Sequence, residues 1–371
     1  MAEVVRGAAA LWEAVASLVG SESVIFGGQT SFEASGASRV MQPLVSAGGR
    51  VLQVRGPLPT TEEVDRLVRE IGDGVPSTLV AVGGGLVIDV MKVVGLSLAT
   101  KKTAAEIVDD GAGAEGDLPL MVAVPTTAGS GAERTPFAVL YREGIKHSID
   151  DQRLLPSRAV LDPTLSRTAP MSVAAAAALD AMAHCVESIW ACRSTTASQA
   201  VAQDALARLS RNVEPGVVDG LEDAGEELMY AASDAGDAIA RTRTTAAHAL
   251  SYHLTSEYHI PHGHAVALTL GLLASYNEAV DAATVADPRG VDQVRSSVSA
   301  ACHGVGVSDA AQLASHLRGL MVSMGLAPDV DAAAGKRVDR DRWVSGVNPE
   351  RLANNPRRLS EADLRELVEA A

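Results

Sequence analysis

The sequence predicts an α/β domain followed by an all-helical domain. Between Ser23 and Thr168, short runs rich in β-branched residues alternate with helical patterns, which is typical of parallel βαβ units. After Pro170 these runs fade, and alanine-rich helical patterns continue almost to the C-terminus. Because 371 residues exceed what one hydrophobic core usually serves, we expect two domains, residues 1–168 and 169–371.

The elements of the first domain can be predicted in chain order. Leu11, Val15 and Leu18 recur at helical spacing, so the N-terminal stretch is expected to be a helix. Glu3 and Glu13 interrupt that stretch, unlike the basic start and apolar run of a signal peptide. The predicted strands are SVIFGG, RVLQVR, STLVAVGGG, LPLMVAVP and SRAVLDP, and TTEEVDRLVREIGDG is predicted to be a helix between two of them.

In the second domain, helix boundaries are clearest near the C-terminus. Ser360 precedes EADLRELVEAA and supplies an N-cap with acidic residues in the first turn. Residues 327–355 mix Asp, Gly, Asn and Pro between helical patterns and are expected to be loop-rich.

Composition and charge exclude several classes of protein. Apolar residues make up 47% and charged residues 21% of the chain, which is typical of a folded protein. The formal charge of −15 argues against broad binding to nucleic acid or to an anionic membrane surface, and no run of about 20 uncharged apolar residues predicts a membrane span. Cys185, Cys192 and Cys302 lack the count and spacing of a disulfide or zinc framework. They are expected to be reduced, mostly buried thiols, which favours a cytoplasmic location.

Two loops follow predicted strands and carry groups that bind phosphate. VAVGGGLVIDVMK leads from a strand through Gly83, Gly84 and Gly85 into a helix, where the backbone can approach a pyrophosphate and meet it with N–H groups. By itself such a turn is more often a plain tight turn. The second loop, PTTAGSG, supplies hydroxyl groups from Thr126, Thr127 and Ser130. Together the two loops favour a nucleotide site.

Four residues of the second domain are suited to binding a metal ion. Asp180 and His184 lie four residues apart in a helical pattern, so their side chains share one face. With His248 and His262 they make a set of one Asp and three His suited to Fe²⁺ or Zn²⁺. A single helical histidine is more often a solvated or satisfied residue.

The motifs resemble those of one known family. GGGLVIDVMK resembles the GGGSxxDxAK motif of the iron-containing, or group III, alcohol dehydrogenases, although Leu86 replaces the usual serine, and PTTAGSGAERTPFAVL resembles their PTTxGTGSExTxxAV motif. KHSIDDQRLLPSRAVLDPTL, DAMAHCVES, PHGHA and NNPRRLS also match in order. The resemblance implies a Rossmann-like dinucleotide-binding domain, an all-α metal-binding domain of the dehydroquinate synthase-like fold, and a homo-oligomer, expected to be a dimer.

The resemblance also implies roles for individual residues. It makes Asp180, His184, His248 and His262 the metal ligands, so His248 is a catalytic residue. It adds Asp89 and Lys146 to the cofactor contacts in the two loops. Gln29 stands where relatives that prefer NAD often carry an Asp, and without that carboxylate we expect NADPH in preference to NADH. Tyr252 replaces a histidine that often follows His248 by four residues, so its hydroxyl is either the proton donor or a packing group.

The segment before His248 predicts an anionic substrate. On helical spacing Arg241, Thr244 and Thr245 face the same way as His248, and Arg243 has a long side chain. Arginine binds phosphate-like groups, and threonine hydroxyls complete such a shell. The segment is similar to the corresponding segment of one branch of the family, the phosphonoacetaldehyde reductases of phosphonate natural-product pathways. The alternative for Arg243 is a surface ion pair.

Other basic residues of the chain are weaker candidates. Arg134 and Arg153 could also contact an anion, and His264 could line the substrate pocket. His259 lies in a polar segment and is expected to be exposed, whereas His253 should point away from His248 on a helix.

The sequence thus predicts a metal-dependent reductase that converts phosphonoacetaldehyde, a small anionic aldehyde, to 2-hydroxyethylphosphonate. One alternative is a generic alcohol or aldehyde dehydrogenase of neutral substrates. A second is an NAD-using lyase of the dehydroquinate synthase type, and a third is a metal-binding scaffold without activity.

Overall fold

A computed structural model describes residues 2–19, 22–113 and 116–371 of the chain. They form two compact units, Met1–Ala169 and Pro170–Ala371. The boundary predicted from the sequence lies one residue earlier. The first unit combines a parallel sheet with helices and the second is helical, which confirms the predicted fold class.

The first unit is built on a sheet of parallel strands in the order β1-β8-β5-β4-β2-β3, and β6 and β7 form a separate antiparallel pair. The strands are β1 (Glu3–Arg6), β2 (Ser23–Gly28), β3 (Arg50–Val54), β4 (Thr78–Gly83), β5 (Leu120–Pro125), β6 (Phe137–Arg142), β7 (Ile145–Asp150) and β8 (Arg158–Leu161).

Helices cover both faces of this sheet. They are α1 (Ala10–Leu18), α2 (Ser31–Ala34), α3 (Ala37–Val40), α4 (Gln42–Ser46), α5 (Thr61–Ile71), α6 (Gly85–Thr100) and α7 (Ala104–Asp110). Leu79 and Ala81 of β4 pack in one hydrophobic cluster with α5, α6 and α7. Val80 and Val82 point the other way, into a cluster that contains α1 and α4. A strand buried on both faces therefore has a continuous apolar sequence.

Three strands were not predicted. The N-terminal stretch was expected to be only a helix, but Glu3–Arg6 forms β1 at the sheet edge, beside β8, before α1 begins. The hairpin of β6 and β7 was also missed. With only two apolar residues, EVVR carries little local signal, so pairing with β8 decides its conformation.

The second unit consists of helices and connecting segments. The helices are α8 (Met171–Trp190), α9 (Thr196–Val217), α10 (Glu222–Thr242), α11 (Ala246–Tyr258), α12 (His262–Glu278), α13 (Val291–Val305), α14 (Ala310–Ser323), α15 (Val330–Ala334), α16 (Arg340–Ser345), α17 (Pro349–Leu352) and α18 (Glu361–Ala370). Three short helices lie within residues 327–355, so this region has more regular structure than predicted.

Helix α8 is the central helix of this unit and packs against α9, α10, α12 and α13. By length and composition it could also cross a membrane. However, most of its residues are buried by the surrounding helices, including Asp180 and Glu187. This burial is typical of a core helix.

Candidate metal centre and dinucleotide site

The carboxyl ends of β2, β4 and β5 lie side by side in the first unit. Gly27 pairs with Val82, and Gly83 pairs with Pro125. Strand β3 lies beside β2 toward one edge of the sheet, whereas β4 and then β5 follow β2 toward the other edge. The strand order therefore reverses between β2 and β4. In parallel sheets, ligands bind outside the carboxyl ends at such a reversal.

The glycine turn after β4 is packed closely on two sides and open on the third. A Cβ at Gly83 would lie 2.4 Å from Val87 Cγ2, and a Cβ at Gly85 would lie 2.7 Å from Ser130 Oγ. At Gly84 the nearest atom, Thr127 Oγ1, would be 3.5 Å away. Gly84 also precedes α6 without a side-chain cap, so the first N–H groups of this 16-residue helix are available to an anion.

Most of the predicted cofactor residues lie at or near these strand ends. Thr126 is buried, Thr127 and Ser130 are half-buried in the loop after β5, and Gln29 is exposed directly after β2. Lys146 is half-buried on the hairpin strand β7.

Asp89 has a structural role that was not predicted. Its carboxylate accepts a hydrogen bond from the Val139 N–H at 3.0 Å and lies 3.6 Å from Lys92 Nζ. Burial raises the pKa of Asp89 even though Lys92 opposes the shift. Lys92 is fully buried and donates to the carbonyl oxygens of Thr135 and Phe137. Asp89 therefore ties α6 to β6, and its contact with the cofactor stays a prediction.

The second unit brings the four predicted metal ligands together from three helices. Asp180 and His184 project from one face of α8, with Asp180 Oδ1 3.6 Å from His184 Nε2. The His248 ring, on the first turn of α11, stacks on that of His184 with centroids 4.8 Å apart. Ligand atoms of Asp180, His248 and His262 all lie within 4.8 Å of one another.

A glycine allows the third helix to approach. His262 is the first residue of α12, and a Cβ on Gly263 would lie 1.9 Å from the carbonyl oxygen of Ala176 and 2.7 Å from Asp180 Cβ. Only a residue without a side chain lets the start of α12 lie against α8. This contact places His262 beside Asp180.

Two atoms of the cluster show that it fits a cation. Asp180 Oδ1 and His248 Nε2 are buried 3.4 Å apart, and neither has a hydrogen-bond partner in the described part of the chain. Such buried polar atoms carry a desolvation cost unless another group joins them. A carboxylate oxygen with imidazole nitrogens is the donor set that Fe²⁺ and Zn²⁺ accept. The residues present therefore fit a divalent metal ion.

The charges in the cluster shift its ionisation. Burial favours neutral Asp180, yet His184 and His248 hold the pKa of this carboxyl well below its usual range. Burial alone would lower the pKa of His248, but the carboxylates of Glu187 and Asp180 raise it to about 9. The cluster thus stabilises positive charge.

Glu187 was missed by the sequence analysis. It is completely buried on α8, one of its oxygens contacts His248 Nδ1, and the other accepts the Thr245 hydroxyl at 2.6 Å and the Ala247 N–H at 2.9 Å. Its position three residues after His184, on the same helix face, was the signal available in the sequence.

Two of the predicted substrate contacts, Thr245 and Arg241, have other partners within the protein. The Thr245 hydroxyl is buried between Glu187 and the indole N–H of Trp190, which it accepts at 3.0 Å. Arg241 forms an exposed ion pair with Asp237 at 2.7 Å. The prediction assumed one continuous helix, but α10 ends at Thr242 and α11 begins at Ala246, so helical spacing does not apply across this segment.

Arg243 and Thr244 form the break between these two helices. Arg243 is half-buried and has a φ of 63°, which is strained for a residue with a side chain. The side chains of Thr244 and Tyr252 hydrogen-bond, and the Tyr252 ring lies 6.2 Å from that of His262. Burial raises the pKa of Tyr252 to about 12. Tyr252 therefore lies beside the metal cluster, with Thr244 as its hydrogen-bond partner.

The remaining histidines lie apart from this cluster. His264, predicted to line the pocket, is instead a buried packing residue whose Nε2 lies 2.7 Å from the carbonyl oxygen of Ala327. His253 packs edge-on against Tyr258. His259 is exposed at the end of α11, as predicted.

Comparison with known proteins identifies the family. Residues 2–163 match the iron-containing alcohol dehydrogenase family, and residues 174–371 match the C-terminal domain of the Fe-containing alcohol dehydrogenase family. The phosphonoacetaldehyde reductase of Streptomyces viridochromogenes is 36% identical over 327 residues, which are 84% of this chain and 80% of that protein.

Solved structures agree with this assignment. The sulfoacetaldehyde reductase of Bifidobacterium kashiwanohense, solved in complex with NAD⁺, superposes with a TM-score of 0.86 at 25% identity, over 100% of this chain and 96% of that one. An iron-containing alcohol dehydrogenase from Thermococcus thioreducens gives a TM-score of 0.83 at 26% identity, over 100% and 97% of the two chains. The chain therefore belongs to the iron-containing alcohol dehydrogenase family and is an oxidoreductase.

Proposed function

We propose that this protein reduces phosphonoacetaldehyde to 2-hydroxyethylphosphonate with NADPH. The observation that carries the proposal is the position of Arg243, a half-buried cation at the helix break that precedes His248. Two similar proteins are named for acetaldehydes that bear an anionic phosphonate or sulfonate. An acidic chain needs a local cation of this kind to bind an anionic substrate.

The metal centre of the proposed enzyme consists of Asp180, His184, His248 and His262, which would hold Fe²⁺ or Zn²⁺. When bound, such a cation supplies Lewis-acid polarisation of the aldehyde carbonyl. In the first unit, the backbone at Gly84 and the N-terminus of α6 would bind the pyrophosphate of the dinucleotide that supplies the hydride. Gln29 is exposed and uncharged, so it does not repel the 2′-phosphate of NADPH. This supports NADPH as the cofactor.

Arg243 and Thr244 would bind the phosphonate oxygens. A guanidinium group can donate two parallel hydrogen bonds to such an anion, and a threonine hydroxyl can add a third. Because these residues directly precede α11, an anion held there keeps the reacting aldehyde carbon near His248 and His262. This arrangement supports an aldehyde with a short spacer between its two functional groups.

Tyr252 is the proposed proton donor to the product oxygen. Its hydroxyl hydrogen-bonds with Thr244, and burial raises its pKa to about 12. The phenol is therefore protonated at neutral pH and can donate a proton.

The reduced thiols of the chain and the proposed use of NADPH support a cytoplasmic location for the enzyme.

The test is NADPH oxidation by protein reconstituted with Fe²⁺ or Zn²⁺. Phosphonoacetaldehyde is compared with propionaldehyde, an uncharged aldehyde of similar size, and NADH is measured in parallel. We expect kcat/KM for the phosphonate to exceed that for propionaldehyde by at least about tenfold, equivalent to one charge-assisted hydrogen bond of about 1.5 kcal/mol. Equal or reversed values would instead identify a generic dehydrogenase of neutral substrates.

A further inference from the structure

We propose that Glu187 is a positioning residue that fixes the tautomer and direction of His248, so that His248 Nε2 faces the metal. This inference rests on the proposed metal centre and adds a residue to it. Glu187 is not itself a candidate ligand, because both of its carboxylate oxygens are used within the protein.

The contacts of Glu187 are directional. One carboxylate oxygen, Oε1, accepts the Thr245 hydroxyl at 2.6 Å and the Ala247 N–H at 2.9 Å. The other oxygen, Oε2, lies against His248 Nδ1. Glu187 thus joins α8 to the first turn of α11, the turn that carries His248.

The orientation of the Thr245 hydroxyl follows from its second partner. Trp190 is fully buried, and its indole N–H can only donate, so Thr245 Oγ accepts this hydrogen bond at 3.0 Å. The single hydroxyl proton of Thr245 must then point to Glu187 Oε1. Donors converge on this oxygen, and such convergence stabilises an ionised carboxylate.

An ionised carboxylate determines the tautomer of His248. Because a carboxylate only accepts hydrogen bonds, Nδ1 must carry a proton, and the lone pair of a neutral ring then lies on Nε2. Nε2 is the buried nitrogen that lies 3.4 Å from Asp180 Oδ1 and has no hydrogen-bond partner among the residues that the structure describes. Glu187 therefore points the metal-binding nitrogen into the cluster.

Replacing Glu187 by glutamine keeps the shape of the side chain but changes its hydrogen bonding to His248. The glutamine oxygen is needed by Thr245 and Ala247, so its amide nitrogen would face Nδ1. An amide nitrogen donates, which makes Nδ1 the acceptor and moves the ring proton to Nε2. The E187Q variant would thus favour the tautomer with a proton on Nε2, the nitrogen that faces the metal, and so disfavour metal binding there.

The experiment measures metal binding by the full-length protein after removal of metal, without substrate. Zn²⁺ affinity is obtained by competition with a chromophoric chelator, and the Co²⁺ absorption spectrum reports ligand geometry. We expect E187Q to weaken Zn²⁺ binding by about ten- to a hundredfold and to change the Co²⁺ spectrum. Thr245→Val should shift both measurements in the same direction. Thr245→Ser retains the hydroxyl, so its Zn²⁺ affinity and Co²⁺ spectrum should match those of the wild type.

A neighbouring residue of α8 provides the matched control. Ser188 is fully buried and accepts a hydrogen bond from Thr242 at 3.0 Å, so Ser188→Ala removes a buried hydrogen bond one residue from Glu187. We expect this variant to bind Zn²⁺ like the wild type, which separates positioning of His248 from a general loss of stability.

Wild-type affinity and an unchanged Co²⁺ spectrum in E187Q would overturn the role of Glu187. If E187Q does not fold, Thr245→Val decides, and wild-type affinity in that variant would overturn the inference. Failure of the unmodified protein to bind one equivalent of Zn²⁺ would instead refute the metal centre of the proposed function, together with this inference.

Discussion

The side-chain amide of Asn354 donates to the carbonyl oxygen of Thr244 at 3.0 Å. The same nitrogen lies 2.9 Å from the carbonyl oxygen of Thr242, so it spans the strained residue Arg243. Asn354 belongs to the late NNPRRLS segment. This segment therefore holds the break between α10 and α11, where the proposed enzyme binds its anion.

Replacing Asn354 by alanine should release this break. Buried carbonyl groups that lose their donor cost about 1–3 kcal/mol, so we expect the free energy of unfolding in urea to fall by that amount. The KM for phosphonoacetaldehyde should rise more than the KM for propionaldehyde, because only the anion needs Arg243 in place. Equal changes for the two aldehydes would contradict this view of the segment.

Arg243 and Arg241 provide a matched pair of variants. Loss of a charge-assisted bond of about 1.5–3 kcal/mol predicts that Arg243→Ala lowers kcat/KM for phosphonoacetaldehyde about ten- to a hundredfold. Arg241 is paired with Asp237 on the exposed side of α10, so Arg241→Ala should leave this value unchanged. A similar loss in both variants would indicate a general electrostatic effect. Wild-type activity in Arg243→Ala would rule out the proposed recognition of a phosphonate substrate.

Variants at Gly84 and Gly83 should distinguish an effect on dinucleotide binding from an effect on folding. A methyl group at Gly84 meets only Thr127 at 3.5 Å, so Gly84→Ala should fold with near wild-type stability but weaken NADPH binding by obstructing the backbone surface. At Gly83 the same methyl group would lie 2.4 Å from Val87, so Gly83→Ala should lower the melting temperature. Cofactor affinity can be followed by NADPH fluorescence. Undiminished affinity in Gly84→Ala would place the dinucleotide elsewhere.

The cysteines should resist alkylation in the native protein. Burial raises the pKa of Cys192 and Cys302 to about 11, and it raises the pKa of Cys185 further. A raised pKa favours the thiol over the reactive thiolate, which at pH 8 is about one part in a thousand for a pKa near 11. Mass spectrometry after treatment with iodoacetamide at pH 8 should show little modification until the protein is unfolded. Rapid labelling of the native protein would contradict the raised pKa of these thiols.

Local patterns in the sequence were sufficient to predict the strand before the glycine turn and the helix that carries Asp180 and His184. The strand before Gly83 is apolar from Leu79 to Val82 because both of its faces are covered, and the spacing of Asp180 and His184 follows from helix geometry alone. The expectation that Arg241 and Thr245 share a helix face with His248 was wrong, because the helix breaks between Thr242 and Ala246.

The sequence by itself determined the two-domain class, the glycine turn and the residues of the metal cluster, since each depends on short-range periodicity and motif. Only the tertiary structure decided the roles of Glu187, Asp89 and Thr245. Each of these polar side chains is buried against a residue distant in sequence, and a buried polar group takes its role from the partner that satisfies it. No local pattern in the chain contains that partner.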